Sequence, residues 1–144
     1  MAPFAALAAV VLGHATPPAA AFPASEPDRE AGWFARCHGA ARVTCVVDGD
    51  TFWYRGAKIR VADINAPETR HPDCAAEARL GARATARLTA LLNQGAFTLE
   101  PADRHEDSYG RRLFTVTRGG ESLGARLIDE GLAERWRGRR RDWC

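Results

Sequence analysis

Hydrophobic and polar positions divide the chain into segments of two periods. Val43–Val47 is rich in β-branched residues and predicts a strand, which Asp48-Gly49-Asp50 breaks. Thr51–Arg55 carries Phe52, Trp53 and Tyr54 and predicts a second strand, with Gly56-Ala57 as a hairpin turn. Lys58–Ile64 alternates, with Ile59, Val61 and Asp63 on one face and Arg60, Ala62 and Ile64 on the other. This predicts a third strand, ended by Pro67. The period then changes. Leu80, Ala84, Leu88, Leu91 and Leu92 recur at helical spacing, so a helix is expected from about Cys74 to Asn93, capped by Asp73 or a neighbour and stopped by Gly95. Arg79, Arg83 and Arg87 form a second stripe on that helix, the usual sign of a solvated face. Phe97–Glu100 and Leu113–Thr117 predict two further strands joined by a polar loop, Ala102–Gly110. After a turn at Gly119-Gly120, Ser122 caps a short helix, Leu123–Glu130, ended by Gly131.

The order is three strands, a helix, two strands and a helix. The first three strands form a meander, and a long helix after strand three can plug the open end of a small barrel. An α+β fold of the five-stranded OB-barrel type is therefore expected.

Upstream of these elements the pattern is different. Phe4–Gly13 is a short apolar run followed by small residues ending at Ala19-Ala20-Ala21, which reads as a secretory signal with an A-x-A cleavage site. The run is too short to span a bilayer. Residues 1–21 are expected to be a signal, 22–36 a Pro/Ala/Glu-rich linker and 37–144 the folded domain. No later segment resembles a transmembrane helix, so a soluble, secreted or periplasmic protein is expected, with no membrane partner. The chain has 144 residues, room for one ordinary domain. Its net charge of +2 argues against a strongly basic nucleic-acid coat. Lys58 is the only lysine, a bias that reflects genome composition more readily than function.

The four cysteines, Cys37, Cys45, Cys74 and Cys144, suit an oxidising compartment and allow three pairings. No C-x-x-C is present, which disfavours a zinc site. Two disulfides are expected. Cys37 and Cys144 flank the folded region, so a bond between them would staple its ends; buried free thiols are the alternative.

Three clusters can carry chemistry. Asp48-Gly49-Asp50 sets two carboxylates around a tight turn, as a hard cation requires, although an ordinary Asp-Gly turn has the same sequence. In Ile59–Thr69 a charged Arg60 sits within an apolar strand and Glu68 follows Pro67; Arg60 needs solvent or a partner there. Asp107–Arg112 places Tyr109 and Arg111 together at a turn, as a solvated hairpin also would. Taken together, the clusters hold the parts needed to hydrolyse a phosphodiester. Two guanidiniums can clamp the phosphoryl oxygens, a carboxylate can orient or deprotonate water, and a cation can add positive charge.

At these clusters the chain resembles the staphylococcal-nuclease (thermonuclease) family, through VVDGDTF, IRVADINAPET and DSYGRR in the family's order. SLGARLIDEGLAERW is similar to the family's second helix and the segment after it. The resemblance spans about Arg42–Trp136. It implies an OB barrel and a Ca²⁺-dependent endonuclease that cuts DNA and RNA, with single strands preferred, to leave 3′-phosphate ends. It also implies Arg60 and Arg111 as phosphate-binding arginines, Glu68 as general base, Asp50 as a calcium ligand, Ala66 as a backbone-carbonyl ligand and Tyr109 as a substrate contact. A monomer is expected.

The chain departs from the family in three ways. Asn65 stands where the family has its second calcium carboxylate, which lowers the expected affinity; Asp63 on the same strand face is a candidate to compensate. The family's third helix has no counterpart, and Arg137, Arg139, Arg140, Arg141, Trp143 and Cys144 occupy its place. The family's base-stacking aromatics are unmatched, leaving Trp136 either to stack on a base or to pack in the core. The Arg-rich tail is a candidate for contact with a nucleic-acid backbone. The rival expectation from another class is a non-catalytic module that binds single-stranded nucleic acid, which would have no need of Glu68. A structural or inhibitor-like secreted domain rests on the cysteines alone.

Overall fold

The structure, a computed structural model, describes residues 26–144; the expected signal at residues 1–21 lies outside the described residues. The elements in chain order are β1 (Ala35–Arg36), β2 (Cys45–Asp48), β3 (Thr51–Tyr54), β4 (Ala57–Val61), β5 (Ile64–Asn65), α1 (Ala75–Asn93), β6 (Thr98–Glu106), β7 (Arg112–Arg118), β8 (Glu121–Ser122), α2 (Leu123–Asp129) and β9 (Glu134–Arg135). The main sheet runs β1-β2-β3-β4-β7-β6, with β8 added to β7, and β5 pairs with β9 in a second, two-stranded sheet. The class is α+β as expected, but among the described residues the sheet does not close into a five-stranded barrel. The outer edge of β2 is taken by β1 in parallel register, Ala35 opposite Cys45, instead of by β6. A bridge between Glu30 and Phe97, with both N···O distances 2.9 Å, brings the incoming chain only to the start of β6.

The meander follows the sequence pattern closely. Its second hairpin, between β3 and β4, turns at Arg55-Gly56, one residue earlier than expected, with both residues at positive φ (49° and 80°). The third expected strand is broken. β4 ends at Val61, where Ala62 donates to Phe114 of β7, and after a turn the chain resumes as β5 with β9 as its new partner. The expected polar loop Ala102–Gly110 is mostly strand, since β6 runs to Glu106 opposite Arg112. Its side chains are largely solvated, so no alternation marks it in the sequence, whereas backbone pairing needs no buried face.

Helix α1 covers the sheet with Ala84, Leu88, Leu91 and Leu92, all buried; Leu80 is half-buried. The arginine stripe is solvated, and Arg87 pairs across to Glu130 just past α2 (2.7 Å). The neighbour of Asp73, Cys74, caps α1, its sulfur accepting from Glu77 N at 3.4 Å. The core also takes in Phe34, which is 1% exposed against Phe52, Tyr54 and Phe97. Asn93 holds it through Phe34 N and O at 2.8 Å each. Ordered packing thus starts upstream of Cys37.

Both expected disulfides form, but not in the expected pairing. Cys37 joins Cys45 and Cys74 joins Cys144. Strand β1 follows β2 in parallel, and Cys37 N donates to Val46 O (2.8 Å), which brings Cys37 beside Cys45 and away from the tail.

Candidate functional site

The Asp48-Gly49-Asp50 turn is buried between β2 and β3. Gly49 allows this, since a Cβ there would stand 2.7 Å from Ala84 Cβ and 2.8 Å from Ala66 Cβ. Asp50 is held on every side. Its Oδ1 accepts from Thr51 Oγ1 (2.9 Å), and its Oδ2 accepts from Ala66 N (2.8 Å). Arg60 Nη2 lies 3.3 Å from the same Oδ2.

Arg60 is opposite Thr51 in the β3–β4 register and is buried. Its Nη1 donates to the carbonyls of Val61 and Ile64, the latter at 2.8 Å. The break between β4 and β5 turns those carbonyls inward, so the interrupted strand is what satisfies the buried guanidinium. The indole of Trp136 covers the guanidinium at 5.6 Å while staying 40% exposed, so it is neither a core residue nor free of the fold.

Glu68 is carried on the loop between β5 and α1. Buried Glu77 holds that loop, accepting from Glu68 N (3.0 Å) and from Asp73 N (2.7 Å). Gly81 lets the loop lie against α1, because a Cβ there would meet Glu68 O at 2.7 Å and Pro67 O at 2.9 Å. Sequence reasoning passed over both residues. The signal for Glu77 was present, since it stands three positions into the helix, where an acid reaches back to the chain before the cap. The Glu68 carboxylate itself is ion-paired with Arg140 from the tail.

Arg111 precedes β7. In the parallel β4–β7 pair Leu113, two positions on, is opposite Arg60, so Arg111 stands at the end of β7 that begins beside β4. Asp107 shapes this turn. Its Oδ1 accepts from Tyr109 N (2.9 Å) and Arg111 N (3.1 Å), and its Oδ2 from Arg111 Nε (2.7 Å). Partial burial acts to raise the Asp107 acid, but these bonds and the nearby guanidinium outweigh it and hold the pKa below the ordinary value. Tyr109 is exposed, with its ring 5.3 Å from the Arg111 guanidinium.

Asn65 is buried, and its Nδ2 donates to Glu134 Oε1 of β9 (3.2 Å). Asp63 does not compensate for it. Its Oδ2 accepts from Ser122 Oγ (2.6 Å), directing the carboxylate to the start of α2. Among the described residues no three His, Cys, Asp or Glu side chains converge on a common point. The donor chemistry around Asp50 still suits a hard cation. Burial, and then the neighbouring Asp50 charge, push the Asp48 carboxyl up to about 7, with Arg60 acting in the opposite sense.

Residues 58–142 match the model of a family described as staphylococcal nuclease homologue. Three proteins of Bacillus subtilis (strain 168) are similar to the chain. Endonuclease YncB is 38% identical over 93 residues, 60% of this chain and 43% of that protein. The SPbeta prophage-derived endonuclease YokF is 39% identical over 93 residues, 60% of this chain and 31% of its own. Endonuclease YhcR is 35% identical over 99 residues, 61% of this chain but 8% of its own. The chain thus spans less than half the length of these relatives. The family match covers more than half of the chain, which therefore belongs to the staphylococcal nuclease family. That match begins at Lys58, so Asp48 and Asp50 lie outside it and join the site through the fold.

Proposed function

We propose that the chain is a Ca²⁺-dependent endonuclease that hydrolyses single-stranded DNA and RNA to 3′-phosphate ends outside the cytoplasm. The observation that carries this reading is the buried Arg60 guanidinium, fixed by Asp50 and two strand carbonyls beneath an exposed indole. A guanidinium held in this way is pre-organised for charge that develops on a phosphoryl group, and costs little reorganisation as it does so. Arg60 and Arg111 bind the phosphoryl oxygens. Glu68 accepts a proton from the attacking water once its carboxylate parts from Arg140. Water attacks phosphorus as Glu68 takes its proton, the bond to the 5′ oxygen breaks, and that oxygen takes up a proton from solvent, so that a 3′-phosphate and a 5′-hydroxyl result. Asp50, Asn65 and the Ala66 carbonyl are the residues that would hold Ca²⁺, which supplies further positive charge at the phosphate. Two disulfides favour an oxidising compartment. The endonuclease names of the relatives support the activity.

The test is hydrolysis of heat-denatured DNA by the oxidised protein, with Ca²⁺ and with chelator, beside Glu68→Gln and Arg60→Ala. Calcium-dependent cutting lost in both variants is expected. Binding without cutting at every calcium concentration would replace this reading with the non-catalytic binding module.

A further inference from the structure

We propose that the tail after β9 is a disulfide-held strap forming a second phosphate-binding subsite for the polynucleotide chain, with Arg140 passing from Glu68 to a substrate phosphate on binding. This rests on the active-site reading above.

The tail forms no helix, yet it is fastened along its length. Trp136 N donates to Asp63 O (2.9 Å) as β9 leaves β5. Arg141 N donates to Glu134 Oε1 (3.0 Å), the same oxygen that receives Asn65 Nδ2. Cys144 is bonded to Cys74, the residue that caps α1 at the end of the Glu68 loop. These anchors lay Arg137, Arg139, Arg140 and Arg141 beside the candidate site around an open groove of about 530 Å³. Like charges on a short segment repel; Glu134 and Asp142, which also line the groove, offset part of that charge, and the arginines remain in excess, which favours an anion there. Arg140 pairs with Glu68, while Arg137, Arg139 and Arg141 make no ion pair among the described residues. Guanidinium forks match phosphate oxygens two at a time. Trp136 offers an aromatic face between Arg60 and the strap on which a base can stack. The subsite therefore suits a phosphodiester chain running on from the scissile group.

The test is fluorescence anisotropy in chelator, with a 12-nucleotide single-stranded DNA and a dinucleotide as probes, over a range of salt. Two strap variants are compared with the parent. One is Cys74→Ser with Cys144→Ser, where Ser also caps a helix well. The other is Arg137→Gln, Arg139→Gln, Arg140→Gln and Arg141→Gln together, which keeps the disulfide and decides the matter should the first variant fail to fold. Both are expected to lose about tenfold or more in affinity for the 12-mer and several-fold less than that in affinity for the dinucleotide. The slope of log affinity against log salt should fall by about 0.7 for each phosphate no longer neutralised. Glu68→Gln should tighten 12-mer binding more than dinucleotide binding, and that gain should vanish in an Arg140→Gln background. Unchanged 12-mer affinity and salt slope in the four-arginine variant would overturn the strap. Dinucleotide binding unaffected by Arg60→Ala, with the strap effects intact, would instead remove the assigned active site and leave a binding surface.

Discussion

Arg60 and Asp50 form a buried ion pair, Nη2 to Oδ2 3.3 Å, that ties the third strand of the meander to the turn between the first two. Asp50 in turn receives Ala66 N, so a single carboxylate joins the guanidinium to the backbone expected to lie beside a cation. Removal of either partner strands the other in the interior.

Arg60→Ala is expected to destabilise the fold by about 3 kcal/mol, the scale for breaking a buried pair, and to lower turnover on the order of 10²-fold. Arg60→Lys cannot reach Asp50 and both carbonyls together, so it should recover some stability and little activity. Urea unfolding beside steady-state kinetics separates the two effects; losses below about threefold in turnover for both variants would remove Arg60 from the site.

Gly81→Ala tests the placement of Glu68. Alanine favours a helix interior by about 1 kcal/mol over glycine, but its Cβ meets two carbonyl oxygens of the Glu68 loop. The loop must shift, and a displacement near 1 Å can cost about 10²-fold in rate. Helical circular dichroism should persist while turnover falls. Full turnover would mean that the loop position does not govern the chemistry.

Glu77→Gln leaves the two loop N–H groups with one carbonyl oxygen in place of two carboxylate oxygens. The expected cost is about 1–3 kcal/mol by urea unfolding, the scale of a buried donor left unsatisfied. No measurable loss would show that water replaces the carboxylate there.

Asp107 has a pKa below its unfolded value near 3.9, so the unfolded chain takes up the proton first as pH falls. Its contribution to stability is complete above that value and is lost as pH drops through the lower, folded one. The melting temperature of Asp107→Asn should therefore lie below that of the parent at pH 7, and the gap should close as the pH falls below the unfolded value. A gap independent of pH would mean that the carboxylate charge plays no part in holding Arg111.

The two disulfides should differ in worth. In the chain-entropy picture, Cys74–Cys144, which spans 70 positions, contributes about 4 kcal/mol, and Cys37–Cys45, which spans 8, about 2.5 kcal/mol. Thermal melts of Cys74→Ser with Cys144→Ser should show the larger drop than Cys37→Ser with Cys45→Ser. The reverse order would point to strap residues that contribute little packing and a β1–β2 pairing that depends on its crosslink.

The sequence alone determined the local elements and the chemical parts. Period-two runs marked β2, β3 and β4, a leucine stripe marked α1, and Ser122 marked the start of α2, because each depends on neighbours within a few positions. Arg60, Glu68 and Arg111 were legible for the same reason: a charge within an apolar strand, an acid after Pro67 and a Tyr-Gly-Arg turn are unusual as local patterns. What the tertiary structure decided is everything that depends on which distant segment arrives at an edge. It placed β1 rather than β6 beside β2, which left the sheet open and sent Cys37 to Cys45. It broke the third strand so that Val61 and Ile64 carbonyls face Arg60, and it sent Asp63 to Ser122 instead of the Asp50 site. It also brought Arg140 to Glu68 through the Cys74–Cys144 bond. Such pairings are settled by competition among many partners for the same edge or charge across the folded chain, and periodicity along the sequence carries no record of that competition.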